Sequence, residues 1–152
     1  MEQSISLQFE EVTIDSQEEA KEIILEGLGE RFGYIDYSLN PDLDQIVRTY
    51  SANGDCFLTV YMKGEMVGTG ALIIESDQVG RIARMSVKKE FRGKGIASQM
   101  LERLINTAKQ REIEELVLET NLEWVDAVRF YQKHGFKEYE RDVTQIHMNR
   151  KI

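Results

Sequence analysis

The sequence predicts an α+β fold: a mostly antiparallel mixed sheet with one central parallel βαβ step, flanked by helices. Turn dipeptides at Asn53-Gly54 and Lys63-Gly64 separate apolar runs by short gaps, which is typical of antiparallel hairpins. An amphipathic helical stripe leads into a short apolar run at 116–118, which predicts a right-handed parallel crossover. The 152 residues contain no internal repeat and no linker. We therefore predict a single domain over residues 1–152.

The first part of the chain predicts one edge strand and two helices. Residues 5–14 alternate apolar and polar side chains, as an edge strand does. Ser16 and Glu19 have the spacing of a capping box, and Asn40 before Pro41 predicts the start of a second helix. The two helical stripes consist of Ala20, Ile23, Ile24 and Leu28, and of Leu43, Ile46, Val47 and Tyr50.

The remaining chain predicts six strands and two amphipathic helices. The strands are expected at 56–62, 66–75, 81–87, 116–118, 136–139 and 144–148. The helical stripes are Ala97, Met100, Leu101, Leu104, Ile105 and Ala108, and then Trp124, Ala127, Val128 and Tyr131. Gly135 ends the last helix. Ligands tend to bind beyond the carboxyl ends of strands that diverge at a parallel step, so we expect the site there.

Composition narrows the classes of function. The net charge is −8 and the pI is about 4.9, which disfavours nucleic-acid binding and is compatible with a cationic amine as substrate. The first residues lack a signal-peptide pattern, and no apolar run is long enough to span a bilayer. We therefore expect a cytoplasmic protein with no membrane partner. Exposed closing strands make either a monomer or a homodimer compatible with the sequence.

A glycine-rich loop predicts an anion site. It reads Phe91-Arg92-Gly93-Lys94-Gly95-Ile96-Ala97 and leads into the predicted helix. Glycine lets the backbone approach a ligand closely, and a helix N-terminus offers free N–H groups and partial positive charge. The side chains of Arg92 and Lys94 add charge. A plain tight turn into a helix is the alternative interpretation of these residues.

Two other phosphate-binding motifs fail on these residues. A P-loop requires Ser or Thr after Gly-Lys, and here Gly95 follows Lys94. A Rossmann fingerprint requires a final Gly or Ala where this chain has Ser98. Glu119 lies about where a ribose-binding acid would, but the preceding strands have the pattern of hairpins rather than of a wound parallel sheet.

The loop resembles that of the GNAT family of acetyl-coenzyme A-dependent N-acetyltransferases. The family signature, Arg or Gln followed by x-x-Gly-x-Gly or Ala, is met by Arg92, Gly95 and Ala97. Residues 127–136 are similar to the family's Ala-x-x-x-Tyr-x-x-x-Gly-Phe helix. The resemblance is close over about residues 53–140. It implies the three-layer GNAT fold and acetyl-coenzyme A as co-substrate, with no metal.

The resemblance also assigns residues to roles. Tyr131 matches the family's general acid, with a core aromatic as the alternative interpretation. The backbone near Met85 is expected to stabilise an oxyanion. Coenzyme binding is implied for Met85, Ser86 and Val87 on the strand, and for Arg92, Gly93, Lys94, Gly95, Ile96, Ala97 and Ser98 in the loop.

The base and the acceptor pocket are less specified. Arg81 stands where many relatives carry a glutamate base, and Trp124 where they often carry an asparagine. We take Glu119 as the candidate base, with Glu75 next, and a solvent-facing carboxylate is the alternative interpretation of either. We assign the acceptor pocket to a loop segment, with packing over the sheet as the alternative. That segment contains Phe32, Tyr34, Asp36 and Tyr37.

The predicted function is direct acetyl transfer from acetyl-coenzyme A to a primary amine of a small molecule or peptide. The alternative is a non-catalytic acyl-coenzyme A sensor on the same fold, which would bind coenzyme without releasing thiol. Cys56 is expected in the core rather than as an acetyl carrier. His134 and His147 are too few and too far apart in sequence to predict a metal site.

Overall fold

The computed structural model describes residues 6–33, 40–51 and 54–152, which form one seven-stranded sheet with helices on both faces. The spatial order of the strands is β1-β2-β3-β4-β5-β7-β6. The strands are β1 Leu7–Glu11, β2 Cys56–Met62, β3 Glu65–Ile74, β4 Val79–Val87, β5 Glu115–Asn121, β6 Lys137–Arg141 and β7 Gln145–Lys151. The α-helices are α1 Gln17–Phe32, α2 Ile46–Thr49, α3 Ile96–Gln110 and α4 Val125–Lys133, and 3₁₀ helices lie at Pro41–Gln45 and Lys89–Phe91.

Strand pairing confirms the predicted fold class. β4 and β5 pair in parallel, and the other neighbouring strands in the described sheet pair antiparallel. Helix α3 connects β4 to β5, which is the predicted βαβ step. β1 and β6 form the two edges, and β6 is exposed along its whole length. Among the described helices, none is both long and apolar enough to cross a membrane.

Two hydrophobic clusters cover the two faces of the sheet. Helix α3 buries its predicted stripe, apart from the half-buried Ala97, against one face, and Leu101 and Leu104 are fully buried there. Helix α1 packs Ala20, Ile23 and Ile24 on the opposite face, together with the segment that contains Ile46. Because both faces are covered, the middle strands are apolar on both sides rather than alternating, as the burial of β2 and β3 shows.

Several local predictions were wrong for identifiable reasons. Ser16 caps no helix N–H, because its hydroxyl instead accepts a hydrogen bond from the backbone of Thr13 at 2.9 Å. Glycines 27, 29 and 33 together predict the end of the first helix, but α1 runs through Gly27 and Gly29 and ends only at Gly33, whose φ is +81°. Asn40 does not cap a long second helix, since the chain there forms a 3₁₀ turn followed by the short α2. Asn53, in the predicted turn with Gly54, lies outside the described residues.

Strand β4 contains a β-bulge that the alternating pattern did not reveal. Thr69 pairs with Ser86 and Ala71 with Ala83, so two residues of β4 lie opposite Gly70. Arg84, one of these two, has a φ of +54°, and its carbonyl accepts a hydrogen bond from Thr69 at 2.7 Å. The predicted alternation of side chains along 81–87 is therefore broken at Arg84.

The parallel pair also ends early. β4 and β5 pair from Val79 with Glu115 to Arg81 with Val117, and no pair is formed after that. The bulge and this early end together separate the carboxyl-terminal parts of the two strands. A groove therefore opens in the middle of the sheet, where the sequence predicted the site.

Candidate active site

The groove between β4 and β5 contains two adjoining cavities. The smaller one, of about 530 Å³, lies between the glycine loop and α4, and it is lined by Ile96, Ala97 and Phe130 among others. The larger one, of about 850 Å³, extends under α1 and contains Glu119 and Trp124 in its wall. Both cavities share Met85, Ser86, Val87, Arg92, Asp126, Ala127 and Tyr131, so they form one continuous groove. The groove is therefore a ligand site in two parts, and Tyr131 lies where the two parts meet.

The glycine loop presents unpaired donors to the smaller cavity. Gly93 and Gly95 have φ values of +78° and +80°, and a Cβ at either position would meet no atom within 4 Å. In the part of the chain that the structure describes, the backbone N–H groups from Gly93 to Ser98 donate to no protein acceptor. These N–H groups lie at the start of α3, where the helix dipole adds partial positive charge. The loop therefore has the donors and the open space that a phosphate group requires.

The two cationic side chains of the loop, Arg92 and Lys94, differ in their contacts. Arg92 donates to both carboxylate oxygens of Glu30, at 2.7 and 3.1 Å, and to the Val87 carbonyl at 3.0 Å. Lys94 is exposed and lies outside both cavity walls. Ser98 lies 3.1 Å from Nε2 of His134, whose pKa is lowered by burial. Of the two cations predicted in the loop, Arg92 is therefore paired within the protein, and Lys94 is not part of either cavity wall.

Tyr131 reaches the groove from α4. Its ring packs against Phe130 and Phe136, with ring centroids 5.1 and 5.8 Å away. Burial raises the pKa of its hydroxyl, so the group is protonated throughout the neutral range. Among the described residues, no group hydrogen-bonds this hydroxyl. The ring is thus part of the core, as the alternative interpretation had it, while the hydroxyl is available to a ligand.

Glu119 lies on β5 in the wall of the larger cavity and belongs to a charged network. Its carboxylate accepts a hydrogen bond from Arg81, which also donates to Glu75. His147 approaches the same carboxylate at 3.7 Å through Nδ1. Asp142 hydrogen-bonds His147 at 3.1 Å and thereby raises the pKa of that imidazole. Both sequence candidates for the base, Glu119 and Glu75, are therefore held by the same arginine.

A second charged cluster lies beside the larger cavity. Arg84 donates to Asp42 at 2.7 and 3.0 Å and to Asn40 at 3.2 Å, which ties β4 to the 3₁₀ turn. Tyr50 donates to Asp42 at 2.5 Å, and burial followed by this hydrogen bond raises the pKa of Tyr50 to about 12. Arg84 and Tyr50 both line the cavity. Arg84, the residue of positive φ at the bulge, therefore lies in the wall of the larger cavity and is held there by Asp42.

The predicted aromatic pocket is only partly described. Phe32 is 51% exposed and packs against Trp124, with ring centroids 5.6 Å apart, but it does not line either cavity. Tyr34, Asp36 and Tyr37 lie outside the described residues. Trp124 does line the larger cavity, and Arg31 lies over its ring at 4.9 Å. Trp124, which the sequence analysis placed on the apolar stripe of the last helix, is therefore an aromatic wall of the groove.

Sequence reasoning also missed the acidic partners of three arginines that line the groove. Glu30 pairs with Arg92 across 62 positions, Asp42 with Arg84 across 42, and Asp126 with Arg31 across 95. Each is one of 27 acidic residues in the chain, and no local pattern distinguishes it. These contacts become visible only once the fold brings distant segments together.

The remaining candidates lie away from the reacting groups. Cys56 is 4% exposed in the core, as predicted, and burial raises the pKa of its thiol. Within residues 6–33, 40–51 and 54–152, no cluster of three or more His, Cys, Asp or Glu side chains is arranged to hold a metal ion.

Comparison with known proteins identifies the class to which this fold and groove belong. The model of the acetyltransferase (GNAT) family matches residues 17–136. The structure superimposes with a TM-score of 0.85 on an acetyltransferase of the GNAT family from Staphylococcus aureus Mu50, at 26% identity, covering 96% of this chain and 99% of that one. The chain belongs to the acetyltransferase (GNAT) family, which confirms the resemblance found in the sequence.

The chain is also similar to curated N-acetyltransferases and to a structure that contains coenzyme A. Human N-acetyltransferase 8B is 32% identical over 111 residues, which are 69% of this chain and 49% of the relative. N-acetylaspartate synthetase from Danio rerio is 34% identical over 106 residues, which are 68% of this chain and 38% of the relative. The chain therefore spans half or less of the length of these curated relatives. A structure of PaiA N-acetyltransferase from Thermoplasma acidophilum with coenzyme A has the same fold, with a TM-score of 0.85 at 22% identity over 97% of this chain and 100% of that one.

Proposed function

We propose that the chain is an N-acetyltransferase that moves an acetyl group from acetyl-coenzyme A directly to a primary amine of a small molecule or peptide. The observation that carries the proposal is the position of Tyr131, whose unpaired hydroxyl lies where the two cavities meet. The smaller cavity is the donor groove and the larger one receives the acceptor. Family membership supports the reaction class.

The residues of the donor groove fit coenzyme A. The pyrophosphate would be held by the unpaired N–H groups from Gly93 to Ser98, which have room for a close approach. Backbone groups of Met85 to Val87 have no β5 partner, so they can pair with the amides of a pantetheine arm as a neighbouring strand would. Acetyl-coenzyme A supplies an acetyl thioester, whose C–S bond breaks as the amide N–C bond forms.

The chain's own groups then stabilise charge and move protons. A backbone N–H at the β4 bulge, near Met85, stabilises the negative charge that develops on the carbonyl oxygen. Tyr131 donates its proton to the departing sulfur, and the proton lost by the amine nitrogen restores the hydroxyl through solvent. One proton leaves nitrogen and one reaches sulfur, so the reaction balances without a covalent enzyme intermediate.

Glu119 is the proposed base that removes the amine proton. It lies on the wall of the acceptor cavity, and only one of its oxygens, Oε1, is engaged by Arg81 and His147. The other oxygen is free among the contacts of the described residues.

The acceptor is best sought with a panel of amines. N-acetylaspartate synthetase and N-alpha-acetyltransferase 30, both similar to this chain, point by their names to aspartate and to an α-amino group as acceptors. The panel therefore contains amino acids, short peptides and polyamines, and free thiol is followed with acetyl-coenzyme A as donor. Acceptor-dependent thiol release from wild type is expected for at least one class.

The same assay tests the non-catalytic alternative. A sensor would bind coenzyme A without releasing thiol for any amine or acyl chain length. Coenzyme binding with no release across the panel would therefore overturn the enzyme proposal in favour of the sensor.

A further inference from the structure

The last turn of α1 contacts both walls of the groove. Glu30 accepts two hydrogen bonds from Arg92 on the loop side, at 2.7 and 3.1 Å. The next residue, Arg31, donates two hydrogen bonds of 2.7 Å each to Asp126 at the start of α4. Bidentate arginine–carboxylate pairs fix orientation as well as distance. Two successive residues of one helix thus hold opposite sides of one opening.

The partners of Glu30 and Arg31 lie at the junction of the groove. Of the residues that line both cavities, Arg92 and Asp126 are the charged ones. Asp126 is in the first turn of the helix that carries Tyr131, and Arg31 holds the pKa of this carboxyl below its usual range. The contacts of α1 therefore act where the donor groove opens into the acceptor cavity.

Each of the three guanidinium nitrogens of Arg92 donates a hydrogen bond within the protein. Its Nε donates to the Val87 carbonyl at 3.0 Å, and both terminal nitrogens donate to Glu30. Three contacts on one guanidinium link the loop to β4 and to α1. In this arrangement the guanidinium fixes the course of the loop, and the backbone N–H groups that follow it are left to meet the ligand.

We propose that Glu30 and Arg31 brace the two walls of the groove, and that Glu30 is a positioning residue for coenzyme binding that acts through Arg92. This inference rests on the proposed function, because it takes coenzyme A as the ligand of the smaller cavity. If charge alone decided affinity, the effect of removing the Glu30 carboxylate would be the opposite. The freed Arg92 cation would lie next to an anionic ligand and strengthen coenzyme binding.

The direction of change in coenzyme affinity separates the two accounts. Binding of coenzyme A to the full chain is measured by calorimetry for wild type, Glu30→Gln, Arg92→Gln and the double variant. Glu26→Gln is the matched control, since Glu26 is exposed one turn earlier on α1 and forms no ion pair among the described residues.

We expect Glu30→Gln to weaken binding by about threefold, because the pair is partly exposed and worth under about 1 kcal/mol. Arg92→Gln should weaken it by a similar or somewhat larger factor, because it also removes the hydrogen bond to the Val87 carbonyl. The double variant should bind no more weakly than Arg92→Gln, because Glu30 acts through Arg92. The control should bind as wild type does. The KM for acetyl-coenzyme A should rise with kcat nearly unchanged, which a general loss of folded protein would not produce.

Two results would overturn the proposal that Glu30 acts through Arg92. One is unchanged or tighter coenzyme A binding by Glu30→Gln. The other is an affinity loss of more than about tenfold in Arg92→Gln alone, which would make Arg92 a direct phosphate ligand. Wild type that does not bind coenzyme A would instead overturn the proposed function. Thermal unfolding of each variant establishes that the binding data refer to folded protein.

Discussion

Replacing Tyr131 with Phe removes one hydroxyl and retains the ring. The contacts with Phe130 and Phe136 remain, and no described protein group loses a hydrogen-bond partner. We therefore expect the free energy of unfolding to change by less than about 0.5 kcal/mol. A general acid contributes at least about a hundredfold to the rate, so kcat should fall by about a hundredfold, or about 2.7 kcal/mol in the barrier.

The assay is thiol release with the amine that the panel identifies, together with calorimetric binding of coenzyme A. Tyr139→Phe serves as the matched control, because Tyr139 is 53% exposed on β6 and lies outside both cavities. The variant at Tyr131 should bind coenzyme A within about twofold of wild type, since the hydroxyl acts on the leaving sulfur rather than in ground-state binding. A kcat within twofold of wild type would refute the assignment of Tyr131 as the acid.

Three further outcomes test other parts of the structure. Gly95→Ala should weaken coenzyme A binding several-fold in calorimetry. Its Cβ would meet no atom, but holding alanine at a φ of +80° costs about 1–2 kcal/mol of conformational free energy. Unchanged affinity would exclude a role for this backbone conformation. Leu104→Ala, at a fully buried position, should lower the free energy of unfolding in urea by about 3 kcal/mol, and a loss below about 1 kcal/mol would contradict the packing of α3. In the folded protein, Asp142 raises the pKa of His147 above its unfolded value of about 6.5. The stability that this pair adds is therefore complete below about pH 6.5, and it is lost as the pH rises through the pKa of His147 in the folded protein. The difference in melting temperature between wild type and His147→Gln should therefore shrink from pH 5.5 to pH 8.5, and a difference that grows with pH would reverse the assigned sign.

Local patterns in the sequence were sufficient for much of the fold. The stripe of α3 and the turn at Lys63-Gly64 depend on residues within one or two turns of each other, and the structure confirms both. The parallel step could be predicted because the crossover length leaves few alternatives. The loop with Gly93 and Gly95 was recognisable for the same reason: its conformation is encoded by the residues it contains.

The groove itself could not be derived in this way. Counting alternate residues along β4 cannot detect one extra residue at Arg84, because the bulge is defined by its partner strand. The partners of the β4 arginines were equally hidden: Arg81 pairs with Glu75 and Glu119, and Arg84 pairs with Asp42. Such pairs join segments far apart in sequence, so their energy appears only after the chain has folded.

The short parallel pairing of β4 with β5 also divides the sheet. On one side are the four strands β1 to β4, on the other the three strands β5, β7 and β6, and three residue pairs join them. Amide hydrogen exchange should therefore be fast along the free edge of β4 near Val87, in the middle of the molecule rather than at its rim. A molecule that pairs with this edge supplies hydrogen bonds that the polypeptide lacks, so the bound protein should melt as a single seven-stranded unit at a higher temperature.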